Sequence, residues 1–278
     1  MAGGSGSRLF PANQAVCKQL MPVYDKPMIY YPLTTLMDLG IRDILIITNP
    51  QDMKLFIRCL GDGSNLGIRI SYEIQLKPEG IAQALIIAEN FIGQDQIALI
   101  LGDNIFHGVD ASSFFPAKRN LAVPCIFALW VNDPSRYGVV NLDEMGRPIS
   151  VEEKPTSPSS HYAVTGLYFY ENEVIQLAKT LQKSHRNEYE ISDINNIYAQ
   201  NEMLDVTCLH GTIWFDAGTH DSLMDAAQYI AAIQKRTGVL IGSPEASAFL
   251  NGFITRKQFD EILSNMSSSS YRNYLECL

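Results

Sequence analysis

Apolar runs rich in β-branched residues alternate with segments of helical spacing through the first half of the chain. That alternation restricts the fold more than any other feature. IRDILIIT (41–48), IRISYEIQ (68–75), IALILGDN (97–104) and PCIFALWV (124–131) read as strands, with helical segments at 30–40, 51–60, 80–92 and 112–119. Such a pattern implies an α/β fold, a mixed, mostly parallel sheet with helices on both faces. After residue 132 the rhythm changes. YGVVNLDEMGRPISVEEKP predicts two strands joined by a turn around Glu144–Gly146, and AVTGLYFY (163–170) predicts another strand. Helices are expected near 172–182 and 190–200, a strand in LDVTCLHGTIWFDAGT, and helices near 219–236 and 244–263. The serine run at 267–270 is expected to be a mobile connection to the last eight residues.

With 278 residues, 46% of them hydrophobic, the chain suits one large domain or one domain with a small appendage. A net charge of −9 argues against a nucleic-acid or membrane-surface binder. It leaves room for a small anionic ligand, because local charge decides that. Cys17, Cys59, Cys125, Cys208 and Cys277 are odd in number, far apart and without a CxxC pair, as expected of a reduced, cytoplasmic chain. The histidines show no zinc-ligand spacing with them. No apolar run reaches transmembrane length and no signal peptide precedes the first glycines.

The local charge is informative at the start. GGSGSRL carries Gly3, Gly4, Gly6 and Arg8; Lys18 follows, and no acid appears before Asp25. Glycines let backbone N–H groups converge on a phosphate, and arginine offers a planar fork to its oxygens. On glycine spacing alone a flexible tail remains an alternative. The segment is neither a dinucleotide fingerprint, which needs a third glycine, nor a P-loop, which ends in Gly-Lys-Ser/Thr.

The longer segment GGSGSRLFPANQAVCKQLMPVYDKPMIYYPL resembles the signature of the sugar-nucleotide pyrophosphorylases. GDN (102–104), RYGVV (136–140), EEKP (152–155), YAVTGLYFY (162–170) and WFDAGTHDSL (214–223) extend the resemblance over essentially the whole chain. Together with YDKPMIYYPL they are similar to the glucose-1-phosphate thymidylyltransferase branch. The resemblance implies a Rossmann-like fold of the nucleotide-diphospho-sugar transferase type. A nucleotidyltransferase part is expected over 1–240, nucleotide-binding about 1–132 and sugar-binding about 133–218, with a C-terminal helical region over 241–278. It implies dTTP and α-D-glucose 1-phosphate as substrates, dTDP-glucose and pyrophosphate as products, and Mg²⁺ as cofactor. It also implies a homo-oligomer, dimer or tetramer, feeding dTDP-rhamnose-type synthesis under end-product control. A UTP-using enzyme and a regulatory paralogue without turnover are the alternatives.

The sugar phosphate is already ionised near neutral pH, so the reaction needs no base to make a nucleophile. Positioning and charge neutralisation of two polyanions remain. Arg8, Lys18 and Asp103 are the expected catalytic residues. Asp103 ends ALILGD and Asp216 ends TIWFD, and ligands of open α/β sheets bind beyond strand carboxyl ends. Each could also be an ordinary turn former; the resemblance makes the two a metal site. It implies further that Glu153 holds sugar hydroxyls, Lys154 the sugar phosphate, and that Gly138 and Val164 line that pocket. Adjacent strand residues point to opposite faces, so Glu153 and Lys154 require a bend, which Pro155 suggests. Gln75 can offer donor and acceptor to a pyrimidine edge; the resemblance implies Gly80, Gly3, Gly4 and Gly6 as further nucleotide contacts. His107 stands where this branch usually carries Tyr. Only Met1 and Ala2 precede the loop where the family has an apolar strand, so the first strand is expected to be truncated and the sheet weakened.

Overall fold

The computed structural model describes residues 1–4, 6–108 and 124–278; the helix expected over 112–119 lies outside the described residues. The described strands are β1 (Pro22–Val23), β2 (Lys26–Pro27), β3 (Asp43–Thr48), β4 (Arg69–Ile74), β5 (Ile97–Ile100), β6 (Asn104–His107), β7 (Cys125–Trp130), β8 (Gly138–Leu142), β9 (Pro148–Glu153), β10 (Tyr162–Tyr170), β11 (Asp205–Cys208) and β12 (Ile213–Asp216). The chain divides into two compact units. The first holds Met1, Glu73–Leu101 and Gly108–Trp214, and the second Ala2–Tyr72, Gly102–His107 and Phe215–Leu278.

The first unit is built on a six-stranded sheet of order β11-β7-β10-β8-β9, with β5 also pairing β10. The central β10 is buried along nearly its whole length, which is why its sequence, YAVTGLYFY, lacks polar alternation. The sheet is mixed, as expected. Its described ladders are antiparallel except β7–β11, so the parallel share is smaller than the strand–helix alternation implied. The reason is local: β8 and β9 are joined by the tight Asp143–Gly146 turn, with Gly146 at φ +78°, and β10 then returns beside β8. Helix Ile191–Gln200 is tied to this sheet by two asparagines. Asn195 accepts from the buried Tyr170 hydroxyl at 2.6 Å, and Asn196 accepts from the Val151 N–H on β9 at 3.2 Å. That attachment carries Ser192 to the end of β9.

β3 pairs β4 and β6 pairs β12, and in the second unit β1 and β2 form a short hairpin. Val23, Met28, Tyr31, Ile105, Ala217, Ala226, Ile230 and Ile241 form its buried cluster. Ala2 is buried, and its N–H donates to the Ile47 carbonyl of β3 at 2.7 Å. Below the hairpin, Lys26 is 3% exposed and bonds Asp25 and Gln234 (3.0 Å), while the Gln234 amide donates to Asp25 at 3.0 Å. This satisfied polar set fixes the hairpin to helix His220–Thr237. Backbone bonds from Met28 to Met21 (2.9 Å) and from Ile29 to Gln19 (2.8 Å) then hold the turn Lys18–Leu20.

Five expected elements differ in detail. LDVTCLHGTIWFDAGT, expected as one strand, is two, β11 and β12. The run 97–104 is two strands, β5 and β6, with Asp103 between them. The 80–92 helix is two short ones, Gln83–Ile87 and Glu89–Ile92. The long C-terminal helix breaks into Pro244–Leu250 and Arg256–Asn265, because Gly252 turns the chain at φ +66° and Thr255 starts a new capping box with Gln258. The serine run is no slack connection: Ser269 caps helix Ser270–Leu275 through the Arg272 N–H, and Tyr271 bonds Glu245 and Ser243.

Candidate active site

The second unit assembles Arg8, Lys18, Asp103 and Asp216. Gly6 adopts the left-handed conformation (φ +59°, ψ 24°) and accepts from the Leu9 N–H at 2.8 Å, starting the turn Ser7–Leu9 whose Leu9 is fully buried. A Cβ on Gly6 would stand 3.3 Å from that of Lys18, so the loop packs closely on this lysine. Gly3 is buried, whereas Gly4 is exposed and faces open space. Lys18, 9% exposed, donates to Asp103 Oδ2, and the Asn104 amide donates to Asp103 Oδ1 at 3.0 Å. Burial opposes ionisation of Asp103, but the Lys18 charge and hydrogen bond, with Asn104, outweigh it and hold the carboxyl below the usual range.

Asp216, the last residue of β12, is brought to Asp103 by a backbone bond: the Ala217 N–H donates to the Asp103 carbonyl at 3.0 Å. Arg8 approaches Asp216 Oδ2 at 4.0 Å with its own side chain half-exposed. Gly218 makes that approach possible. A Cβ there would stand 2.7 Å from Arg8 Nη2 and 2.9 Å from Asp216 Oδ1. The four expected charged residues therefore meet as two cation–carboxylate pairs. Two hard oxygen donors on backbone-linked strand ends fit a Mg²⁺ ion, which usually takes one or two carboxylates and fills its sphere with phosphate oxygens and water. Among the described residues no group of three or more His, Cys, Asp or Glu forms a closed protein cage, the arrangement such an ion does not need.

The first unit holds Gln75 and Gly80, expected at the base, and Gly138, Glu153, Lys154 and Val164, expected at the sugar phosphate. Gln75 is 1% exposed; its Nε2 donates to Gln83 Oε1 at 2.7 Å and to the Gly80 carbonyl at 3.3 Å. Gln83 in turn donates to Glu79 at 3.0 Å and accepts from the Glu79 N–H, which fixes both amide orientations. The Gln75 Oε1 is left buried without a partner among the described residues. Gly80 (φ +107°) lies against the backbone of Tyr189, whose carbonyl would be 2.3 Å from a Cβ. Gly80→Ala combines left-handed strain with overpacking and is expected to destabilise the fold by roughly 2–6 kcal/mol. A fall in the denaturant midpoint at unchanged slope measures it; an unmoved midpoint contradicts the packing of Gly80 on Tyr189.

Gly138, Glu153 and Val164 lie together. A Cβ on Gly138 would lie 3.5 Å from Glu153 Oε2 and 3.7 Å from the Val164 Cβ. Glu153 accepts from the Ser192 hydroxyl and from Arg186 Nη1 at 3.1 Å. The expected bend is present at Lys154 itself, whose φ of +43° takes the chain off the strand and lets its Nζ reach Glu153 Oε1 at 3.4 Å. Arg186 is shared with Glu188 and Glu190, and burial pushes the Glu190 carboxyl above its ordinary range despite the Ser184 hydroxyl. Sequence reading missed Ser192, Arg186, Gln83 and Gly218. Ser192 and Arg186 lie 39 and 33 positions from Glu153 and carry no local motif. His107, in the second unit, sets its ring edge-on to Tyr229 at 5.8 Å.

A family model described as nucleotidyl transferase matches residues 1–233. The chain belongs to this family. A glucose-1-phosphate thymidylyltransferase of Mycolicibacterium smegmatis is 50% identical over 99% of this chain and 96% of its own length. Of the solved structures, a Bacillus anthracis protein described as a glucose-1-phosphate thymidylyltransferase, crystallised with sucrose, superposes with a TM-score of 0.77 at 41% identity, covering 82% of this chain and 92% of that one. A UDP-glucose pyrophosphorylase complexed with UDP-glucose (TM-score 0.74, 22% identity, 84% and 97% covered) shares the α/β fold. Among the described residues no helix of this nucleotidyl transferase is long and apolar enough to cross a membrane.

Proposed function

We propose that this chain transfers a thymidylyl group from dTTP to α-D-glucose 1-phosphate, giving dTDP-glucose and pyrophosphate. The observation that carries this reading is 50% identity over 99% of the chain to a protein of that name. A phosphate oxygen of the sugar phosphate attacks the α-phosphorus of dTTP. The bond from that phosphorus to the bridging oxygen breaks, and pyrophosphate leaves with the electron pair. No proton has to move first, so the protein's work is charge neutralisation and alignment.

Lys18 and Arg8 supply positive charge to the phosphates; Gly3, Gly4 and Gly6 supply backbone donors, Gly4 with open space for close approach. Asp103 and Asp216 hold Mg²⁺, which when bound supplies further neutralisation of phosphate charge. Glu153, oriented by Ser192 and Arg186, accepts from sugar hydroxyls, and Lys154 binds the sugar phosphate beside Gly138 and Val164. Gln75, with Gly80, takes the base: its unpartnered Oε1 suits the ring N–H of thymine. By this reading nucleotide recognition lies within about 1–132 and sugar recognition within about 133–218, with 241–278 a helical appendage. We further propose a cytoplasmic homo-oligomer, dimer or tetramer, serving dTDP-deoxysugar synthesis of the rhamnose type; five free cysteines suit a reducing compartment.

Pyrophosphate release with glucose 1-phosphate and either dTTP or UTP tests the reading. The thymine methyl in an apolar pocket is expected to favour dTTP by roughly 10–200-fold in kcat/KM. Equal constants make the enzyme indifferent to the base, a preference for UTP makes it a uridylyltransferase, and no release with either nucleotide points to a regulatory paralogue.

A further inference from the structure

The two acids assigned to the metal are each met by a cation of the chain itself. Asp103 has both oxygens engaged, Oδ2 by the Lys18 ammonium and Oδ1 by the Asn104 amide. Asp216 faces the Arg8 guanidinium at 4.0 Å. We propose that Lys18 and Arg8 are resident counter-ions of the metal site, and that a divalent cation binds by exchange: it takes the carboxylates as the two side chains give them up to the triphosphate. This inference rests on the assignment of Asp103 and Asp216 as metal ligands and adds how their occupancy is controlled.

The exchange follows from the geometry and the charges. The Asp103 side chain is only 15% exposed, and a carboxylate so placed needs a partner. Lys18 is that partner, and an ammonium and a divalent cation cannot share one carboxylate oxygen without strong repulsion. The neutral Asn104 donor sits on the other oxygen and can stay, keeping the carboxylate oriented. Arg8 is better placed to leave. Its side chain is 52% exposed, its contact with Asp216 is loose, and its fork suits phosphate oxygens. Metal alone must strip two cations into water, whereas metal with triphosphate trades two ion pairs for two others. Metal and nucleotide therefore help each other bind by an equal factor.

The test omits nucleotide. Free Mn²⁺, used as a paramagnetic stand-in, is counted by electron paramagnetic resonance against the full chain and its Lys18→Met, Arg8→Gln, Asp103→Asn and Asp216→Asn variants. Lys18→Met is expected to bind Mn²⁺ at least about fivefold more tightly than the parent, within the 5–150-fold span of ordinary site coupling, although its turnover falls. Arg8→Gln is expected to tighten binding less, in keeping with its longer contact. Both aspartate variants should bind more weakly. If the aspartate variants weaken binding while Lys18→Met and Arg8→Gln bind no more tightly than the parent, the exchange is overturned and the metal site stands. If Asp103→Asn and Asp216→Asn bind like the parent, the metal assignment itself falls, and the exchange with it. Should Lys18→Met not fold, Lys18→Gln, which leaves Asp103 a neutral donor, and the half-exposed Arg8→Gln decide the matter.

Discussion

Lys18→Ala is expected to lose about 10²–10³ in kcat, the usual cost of removing one preorganised charge contact at a reacting centre. It also leaves Asp103 without its cation, which for a buried pair costs about 3–5 kcal/mol of stability; a side chain 15% exposed belongs at the low end of that range. The two effects separate by pH. In the parent, the Asp103 carboxyl is held below its ordinary range, burial being outweighed by Lys18. Its contribution to stability is therefore present above the unfolded-state pKa and lost as pH falls through the folded one. In Lys18→Ala, burial, the largest influence on this carboxyl, is opposed only by the Asn104 amide and the Asp103 backbone N–H, so the folded pKa is expected to rise above the unfolded one. The carboxylate then penalises the fold at neutral pH, and the penalty disappears as acid protonates it. Urea unfolding at neutral and mildly acid pH should show the gap between parent and variant shrinking as pH falls. A gap independent of pH would mean that the Lys18–Asp103 pair is not what Lys18 contributes to the fold.

The grouping of Arg8, Lys18, Asp103 and Asp216 was legible in the sequence because these residues sit in ordered motifs. Arg8 and Lys18 lie in an acid-free opening, and Asp103 and Asp216 each follow an apolar strand. Strand ends are where an α/β sheet presents side chains to ligands, but position alone left each aspartate an ordinary turn former, and the family motifs singled the two out. What was not legible depends on pairings distant in sequence. Ser192 reaches Glu153 only because Asn195 and Asn196 tie their helix to β10 and β9. Strand orientation was likewise hidden: the same alternation of strands and helices allows β10 to run antiparallel to β5, β7 and β8. Other misses had a signal that periodicity overrode. Asn251-Gly252 followed by Thr255 and Gln258 spells a stop and a capping box inside what reads as one apolar helix. Ser269 offered an N-cap, but serine composition suggested slack chain.

Gly218→Ala is expected to lose about 10²-fold in turnover with the fold intact, since a displacement of about 1 Å at a reacting centre can cost that much. The backbone of Gly218 is not in the left-handed region, so alanine brings no torsional strain, in contrast to Gly80. The added methyl instead meets Arg8 Nη2 at 2.7 Å, Asp216 Oδ1 at 2.9 Å and Arg8 Cζ at 3.3 Å. Something must move, and the softest atom is the end of the Arg8 side chain, already 52% exposed. Its release into water costs the fold little, as most half-exposed substitutions stay within about 0.5 kcal/mol. It takes the guanidinium away from the place where, on the proposed function, phosphate charge is neutralised. On the proposed role of Arg8, Gly218 acts as a positioning residue through that side chain, and a double-mutant cycle tests it. If the methyl works by displacing Arg8, then Arg8→Ala with Gly218→Ala should be no slower than Arg8→Ala alone, a non-additivity expected of residues in contact. Independent, multiplying losses would place the effect of Gly218 on Asp216 instead. A melting temperature that collapses with the single methyl would mean that the site had no room to release Arg8 at all.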